Sequence, residues 1–229
     1  MPFEDAPLCT SDCEHLLQLP LPNDPATDGY RTTGSTIFRY QYGRRDLLMF
    51  LRHAGQRMVA LGHEPFVPED LSQWDGLTPG TDVGAPRHAS HQRGKDVDLS
   101  LYGTDGRSAW RSYCTTVSTV DGRVCQPGTA TGYDGYANAV FFGDFYATGR
   151  VTMCFLDQEL IAPTIPGAEA GVAASEIQAS VLPSYSDGVH LMHWPNHDNH
   201  VHVRVSEDPT PASLSWPGVP PVPTAFEPP

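Results

Sequence analysis

Histidines are concentrated near the C-terminal end of this chain in a pattern that could bind a metal ion. The stretch HWPNHDNHVHVRV, residues 193–205, contains four of the ten histidines in the sequence. In HVHVRV, valines alternate with His200, His202 and Arg204, so the pattern predicts a strand with one aliphatic and one polar face. Imidazole nitrogens are common ligands of zinc and other transition metals. These histidines therefore indicate a metal site whose remaining ligands come from elsewhere in the chain.

A second stretch, HASHQRGKDVDLSLY at residues 88–102, could supply those ligands. Its DVDLSL segment alternates polar and aliphatic residues, which predicts another strand. If the two strands are neighbours in one sheet, Asp98 and His202 converge on its open side. The loop leading into the strand brings His88 and His91 to the same place. Two imidazoles and a carboxylate are typical of catalytic zinc, which leaves a position for water and lowers its pKa to about 7.

The remaining patterns predict the elements that position these residues. The best helix lies at residues 44–62, where apolar residues form one stripe and Gly62 ends the helix. Residues 35–43 and 151–156 are predicted strands, 137–148 a short helix, and 168–182 a weak helix. The predicted fold class is α+β, with a small central antiparallel sheet flanked by helices and long loops. The zinc site is expected on the open face of that sheet.

The composition divides the chain into an arm, one domain and a tail. Residues 1–30 are rich in Pro and Asp and predict an extended arm lying on the surface. Residues 31–205 form one predicted domain, which contains both histidine-containing stretches. The tail, residues 206–229, contains eight prolines, so neither a central strand nor a helix is expected there.

Charge and hydropathy exclude two classes of partner. The net charge is -13 and Lys95 is the sole lysine, so a nucleic-acid-binding surface is not expected. No apolar run approaches the roughly 20 residues that a membrane helix needs, so no membrane insertion is expected. The opening residues MPFEDAPLCT lack the charged start and apolar stretch of a signal peptide.

Two of the five cysteines bracket a predicted hairpin. Cys114 and Cys125 flank TTVSTVDGRV, in which Asp121 and Gly122 provide the turn. A disulfide between them is sterically easy. This pair favours an oxidising compartment, periplasmic or secreted, over the alternative of five free thiols in a reducing cytoplasm.

The two histidine-containing stretches together resemble the penicillin-insensitive murein endopeptidases. This family belongs to a larger group of zinc peptidases that includes lysostaphin-type enzymes, D-Ala-D-Ala-cleaving enzymes and the hedgehog signalling domain. The group's pattern is a His, six residues, an Asp and a distant His-x-His, which His91, Asp98 and His200-Val201-His202 satisfy. The narrower family pattern, His-x-Ser-His-Gln-x-Gly followed by Asp-Val-Asp, is satisfied by residues 88–98. The similarity covers residues 30–205 and excludes the tail.

The resemblance assigns roles to these residues. It implies that His91, Asp98 and His202 bind one Zn²⁺ ion and that His200 is the catalytic residue beside the zinc-bound water. Hydrolysis would proceed by metal-activated water without a covalent intermediate. The implied substrate is crosslinked peptidoglycan, cut at the bond between D-alanine and the side chain of meso-diaminopimelate.

Further residues match positions that line the family's site. His88 and His197 are such positions, and His88 has been associated there with a second, weaker metal. That second site also uses an Asp-x-x-His segment, and in its place this chain has Asp121-Gly122-Arg123-Val124, without the His. One zinc ion is therefore expected, and a second is not favoured.

Three arginines are candidates for binding a carboxylate of the substrate. They are Arg39, Arg44 and Arg45, and ordinary surface charge explains them equally well.

Three other functions use similar ligands. A D,D-carboxypeptidase or D-Ala-D-Ala dipeptidase would have the same metal set in a narrower cleft. A non-enzymatic zinc-binding module, as in hedgehog, would keep the ligands for folding alone. A mononuclear iron oxygenase also uses two His and a carboxylate, but the six-residue gap between His91 and Asp98 argues against it.

Overall fold

The computed structural model describes residues 15–207 of the chain. Predictions for residues 1–14 and 208–229, which include Cys9, Cys13 and most of the tail, lie outside the described residues. The described chain is a mixed α/β structure with one five-stranded sheet and two two-stranded sheets.

The helices and strands follow one another in three groups. The first group comprises β1 (Leu16–Gln18), α1 (Pro25–Asp28), β2 (Tyr42–Arg44) and α2 (Arg45–Ala60). The second group comprises β3 (Asp96–Tyr102), β4 (Ser108–Ala109), β5 (Thr116–Thr119) and β6 (Gly122–Cys125). The third group comprises α3 (Gly135–Ala147), β7 (Val151–Leu156), α4 (Gln158–Ala173), β8 (Leu191–His193) and β9 (His200–Val205). Short 3-10 turns occur at Phe38–Tyr40, Thr81–Val83 and Ala179–Tyr185.

The central sheet brings the two predicted polar strands side by side. Its strand order is β4-β3-β9-β7-β8, and β3 pairs antiparallel with β9 so that Asp98 lies opposite His202. The predicted neighbourhood of these strands is confirmed. The sheet is not wholly antiparallel, however, because β7 pairs parallel with β8. Helix α4 connects these two strands, as parallel neighbours require a long crossover.

The aliphatic face of β3 and β9 forms the centre of the core. Val97, Leu99, Val201 and Val203 are completely buried and belong to one hydrophobic cluster with residues of α2, α3 and α4. Helix α3 is apolar over most of its surface, which is typical of a helix buried on several sides. Since the valines and leucines point to the helices, the polar residues of both strands face the opposite side.

Several predicted boundaries are corrected by the structure. Helix α2 agrees with its pattern, but the weak helix predicted at residues 168–182 instead begins at Gln158 and ends at Ala173. The sequence did not indicate the first part of this helix, because Pro163 and Pro166 lie inside it and prolines usually interrupt helices. The strand predicted at residues 35–43 is a 3-10 turn followed by β2, which starts at Tyr42.

The described part of the predicted arm is integrated into the fold. Strand β1 pairs with β2, and Leu19 and Tyr30 are buried in the core cluster. Tyr30 also donates a hydrogen bond from its hydroxyl to the carbonyl of Pro20 at 2.8 Å. Residues 15–30 therefore do not simply lie on the surface, because their apolar side chains are needed to close one side of the core.

Between residues 15 and 207, no helix is both long and apolar enough to cross a membrane.

The loop that leads into β3 is held against β2 at Gly94. This glycine has a φ of +66°, and its carbonyl accepts a hydrogen bond from the Arg44 amide at 2.8 Å. A Cβ at this position would lie 2.6 Å from the Arg44 nitrogen and 2.3 Å from Leu16 Cδ2. Both the backbone conformation and the close contact therefore require glycine, and this contact fixes the loop that carries His91.

We expect Gly94→Ala to destabilise the protein by about 3 kcal/mol. The alanine would be strained in the left-handed backbone conformation, and its Cβ would also clash with its neighbours, so the two costs add. The matched control is Gly62→Ala, because Gly62 has a φ of +92° but no atom within 4 Å of the added Cβ. The Gly62→Ala substitution should lower the free energy of unfolding by about 1 kcal/mol. Urea unfolding of both variants measures the difference, and equal losses would contradict the close contact at Gly94.

Candidate metal centre

Three potential ligand atoms converge at the centre of the open face of the sheet. Asp98 Oδ1 lies 3.2 Å from His91 Nε2 and 3.0 Å from His202 Nδ1. The two imidazole nitrogens are 3.0 Å apart. Ligand atoms around a tetrahedral zinc ion, bound at about 2.0 Å, are separated by about 3.3 Å. Small movements of these side chains would therefore let all three coordinate one metal ion.

The ring nitrogens of His91 and His202 that point away from Asp98 are each held by an acceptor. His91 Nδ1 donates to the carbonyl of Leu71 at 3.0 Å, and His202 Nε2 donates to the carboxylate of Asp96 at 2.9 Å. These hydrogen bonds fix the ring orientations and leave the other nitrogens facing Asp98. Such outer acceptors commonly orient metal-binding histidines and increase their basicity.

A third imidazole, that of His88, lies against the same cluster. Its Nε2 donates to Asp70 at 2.9 Å, and its Nδ1 is 3.7 Å from Asp98 Oδ2. The ring centroid is 4.0 Å from that of His91. Like His91 and His202, His88 thus has one ring nitrogen held by an acceptor, here the carboxylate of Asp70, and the other nitrogen turned toward Asp98.

His200 lies beside the cluster and is held from two sides. Its Nδ1 is 2.8 Å from the side-chain oxygen of Asn199, and its Nε2 is 3.8 Å from Asp98 Oδ1. The indole of Trp110 stacks on the imidazole at a centroid distance of 5.0 Å and an angle of 26°. The ring plane is therefore defined, and Nε2 points to the place where the three ligand atoms meet.

The two remaining predicted residues lie in different places. His197 donates from Nδ1 to the carbonyl of Pro195 at 2.8 Å, and its ring centroid is 4.6 Å from that of His200. Burial lowers the pKa of His197. Asp121, in contrast, is exposed at the turn between β5 and β6. The structure thus brings His197 to the cluster and leaves Asp121 outside the group of converging ligand atoms.

Without a metal ion, a proton on His202 compensates the buried carboxylates. Burial lowers the pKa of this imidazole, but hydrogen bonds to Asp96 and Asp98 outweigh burial and raise it to about 9. Burial alone would raise the pKa of Asp98, yet the neighbouring imidazoles of His91 and His200 and the hydrogen bond from His202 hold it well below its usual range. A metal ion would replace this proton, because metal ligands must be deprotonated.

Two cavities meet at the cluster. The first, of about 350 Å³, lies beside Trp110, and the second, of about 540 Å³, lies beside Trp194. Both are lined by His88, Asp98 and His200. Trp194 is half-exposed and stacks on Phe155 at 5.1 Å. The cluster is therefore accessible from two adjoining spaces.

A disulfide-linked hairpin supports the histidine-rich loop. Cys114 and Cys125 form a disulfide with a Cα–Cα distance of 5.6 Å, which confirms the predicted pair. From this hairpin, the Arg123 amide donates to the side-chain oxygen of Asn196, and the Arg123 carbonyl accepts from the Asn196 amide. The Arg123 side chain forms an ion pair with buried Asp198 at 2.7 Å. The bridge thus stabilises the segment that presents His197 and His200.

The three arginines considered as substrate anchors lie outside both cavities. Arg39 pairs with Asp82 at 3.2 Å, whereas Arg44 and Arg45 are buried, and Arg44 pairs with Asp46. The arginines that line the cavities are Arg87, Arg123 and Arg204. The sequence could not distinguish the three predicted arginines from the three that line the cavities, because the position of each depends on contacts between distant segments.

Sequence reasoning also missed residues from the long loop before β3. Asp70 and Leu71 orient His88 and His91, yet the Pro-, Gly- and Asp-rich segment at 64–87 indicated only a loop. No pattern in the sequence pointed to Asp70, because its burial and its contact with His88 appear only in the folded structure. Trp110 gave no signal before the structure placed it on His200.

Comparisons with known proteins do not identify a family for this chain. No protein-family model matches the chain, and no curated protein matches it significantly. Within the described part of the chain, potential ligand atoms of His88, His91 and Asp98 lie within 4.8 Å of one another. This His-His-Asp group can bind a metal ion, and His202 adds a further imidazole at hydrogen-bond distance.

We expect Asp96→Asn to weaken Zn²⁺ binding by about 10- to 100-fold, because an amide orients His202 less strongly than a carboxylate. Competition with a chromophoric chelator measures this affinity. Asp105→Asn is the matched control, since Asp105 is exposed and pairs with Arg111. Equal affinities of the Asp96 variant and the unmodified protein would show that this hydrogen bond does not support the metal site.

Proposed function

We propose that the protein is a zinc-dependent peptidoglycan hydrolase, a D,D-endopeptidase that cleaves crosslinks between D-alanine and meso-diaminopimelate. The observation that carries this proposal is the convergence of His91, Asp98 and His202 within 3.0–3.2 Å, with His200 beside them. Two imidazole nitrogens and one carboxylate oxygen suit zinc. The resemblance of residues 88–98 and 197–205 to murein endopeptidases supports the substrate class.

Each residue of the cluster has a defined part in this reaction. His91, Asp98 and His202 would hold the ion, while Asp96 and the carbonyl of Leu71 keep the imidazoles oriented. When bound there, zinc polarises a carbonyl and lowers the pKa of water. The ligand geometry fits the ion, because the three atoms are already close to tetrahedral spacing.

His200 is suited to move the proton of the attacking water. Its Nδ1 is engaged by Asn199, so Nε2 is the nitrogen that faces the cluster. From this position it can accept the proton of the water and donate it to the leaving amine of diaminopimelate. Trp110 keeps the ring in the required plane by stacking on it.

The shape of the site favours an endopeptidase over a carboxypeptidase. An endopeptidase must hold peptide on both sides of the scissile bond, whereas a carboxypeptidase or dipeptidase needs little space beyond it. The two cavities that meet at Asp98 and His200 provide such space in two directions. The Cys114–Cys125 disulfide supports a periplasmic or secreted location, where crosslinked peptides are found.

One observation favours a second candidate, a non-enzymatic zinc-binding module. His88 lies close enough to His91 and Asp98 to count as a further ligand. A fourth protein ligand would close the coordination sphere, as in structural zinc sites. The two candidates differ in whether the zinc-loaded protein hydrolyses peptide bonds at all.

We expect the zinc-loaded protein to release new amino groups from purified, crosslinked sacculi, and a chelator to abolish this activity. His200→Ala should retain zinc but lose on the order of 10²-fold or more in rate, because it removes the proton acceptor. His202→Ala should lose most of its zinc. His190→Ala is the matched control, since His190 pairs with Asp187 and lies outside both cavities.

Chromatography of the fragments and metal analysis of the variants provide the measurements. Full activity in His200→Ala would exclude its catalytic role. Zinc binding without release of amino groups by the unmodified protein would favour the non-enzymatic module.

A further inference from the structure

The cavity beside Trp110 carries side chains of both charges, although the chain as a whole is strongly acidic. Arg87 and Arg123 line it together with Glu69. Asp98 and His200 line the same cavity, so its charged groups adjoin the candidate metal centre. We name this space, of about 350 Å³, the mixed-charge pocket.

Both arginines of the mixed-charge pocket are held in place and still offer donors. Arg87 Nη1 lies 3.1 Å from Asp70, and the Nε and Nη2 atoms of Arg123 lie 2.8 and 2.7 Å from Asp198. Their side chains remain 44% and 45% exposed. A guanidinium has five N–H donors, so these contacts leave several that can bind a carboxylate. Arginines fixed in this way lose little further freedom on binding.

Glu69 provides the opposite charge. It is half-buried, and its Oε1 accepts a hydrogen bond from Ser35 Oγ at 3.1 Å. An ionised carboxylate can accept about four hydrogen bonds, so it can also accept from an ammonium group. The half-buried indole of Trp110 forms an apolar wall of the same space, which suits the methylene groups of a ligand.

We propose that the mixed-charge pocket binds a free α-amino-acid group, the zwitterionic end of a diaminopimelate residue. Its ammonium would bind Glu69, and its carboxylate would bind Arg87 and Arg123. This inference rests on the proposed function and specifies which part of the substrate is recognised beside the reacting bond.

The chemistry of diaminopimelate explains why both charges are needed. This diamino diacid has one amino-acid end in the peptide stem, and the other end is free unless it forms a crosslink. In the stem that donates the D-alanyl group, a diaminopimelate with a free end directly precedes the D-alanine. The free end therefore lies close to the attacked carbonyl, as the pocket lies close to Asp98 and His200.

A ligand with a single charge fits the pocket less well. A simple anion would satisfy Arg87 and Arg123 but would also approach Glu69, and a simple cation would face both guanidinium groups. Like charges placed together select against such ligands. A zwitterion satisfies both signs at once, so this lining predicts discrimination against a stem whose free amine or free carboxylate is blocked.

The test uses binding of an uncleavable probe to the zinc-loaded protein. The probe is L-alanyl-γ-D-glutamyl-meso-diaminopimelate, which has a free zwitterionic end and no D-alanyl bond. Two analogues carry an acetylated amine or an amidated carboxylate at that end. Calorimetry should show that each analogue binds about tenfold more weakly, since each loses one charge-assisted contact.

Variants of the pocket residues show which side chain recognises the free amine of the probe and which recognises its free carboxylate. Glu69→Gln should lose the preference for the free amine and keep the preference for the free carboxylate, whereas Arg123→Met should do the reverse. Arg87→Met provides a second carboxylate test in case loss of the Asp198 ion pair impairs folding. Glu64→Gln and Arg111→Met are matched controls, since they pair with Arg107 and Asp105 outside the pocket.

The outcomes separate this inference from the proposed function. Equal binding of probe and analogues, no binding of the probe, or unchanged preferences in the variants would each overturn the zwitterion pocket. Cleavage of crosslinked sacculi together with such a result would leave the endopeptidase function standing. Selective binding of the probe by a protein that cleaves no crosslink would support the pocket and overturn the endopeptidase function.

Discussion

The buried carboxylate of Asp98 is the group on which the arrangement of the site depends. It is 3% exposed and lies within 3.2 Å of imidazole nitrogens of both His91 and His202. A buried charge of this kind is costly unless it is compensated, here by a protonated imidazole or by a metal ion. The pairing of β3 with β9 places Asp98 opposite His202, and a shift of one residue would turn either side chain into the core.

The fold around this carboxylate serves largely to hold the imidazoles. Asp96 orients His202 from the same strand as Asp98, while Asp70 and Leu71 orient His88 and His91 from the long loop before β3. The disulfide-linked hairpin secures the histidine-rich loop on the other side through Arg123. Because each support comes from a different part of the chain, the site is rigid only when the whole domain is folded.

Local patterns predicted the centre of the site but not its surroundings. Strict alternation in DVDLSL and HVHVRV predicts two half-polar strands, and their antiparallel pairing follows once both are placed in one sheet. The hairpin and its Cys114–Cys125 bridge are also local features. Contacts between distant segments leave no such pattern, so the stacking of Trp110 on His200 and the hydrogen bond between His88 and Asp70 could not be predicted. The start of α4 was hidden for a different reason, since Pro163 lies within a helix that continues past it.

Anomalous diffraction at the zinc absorption edge, from crystals of the zinc-loaded protein, tests the proposed metal centre most directly. A catalytic zinc site at this cluster predicts one strong peak at about 2.0–2.2 Å from His91 Nε2, Asp98 Oδ1 and His202 Nδ1, with water in the remaining position. His200 should stay outside bonding distance of the ion. A peak bound by His200 or His88 in place of water, or no peak at this cluster, would contradict a catalytic zinc site with an open position.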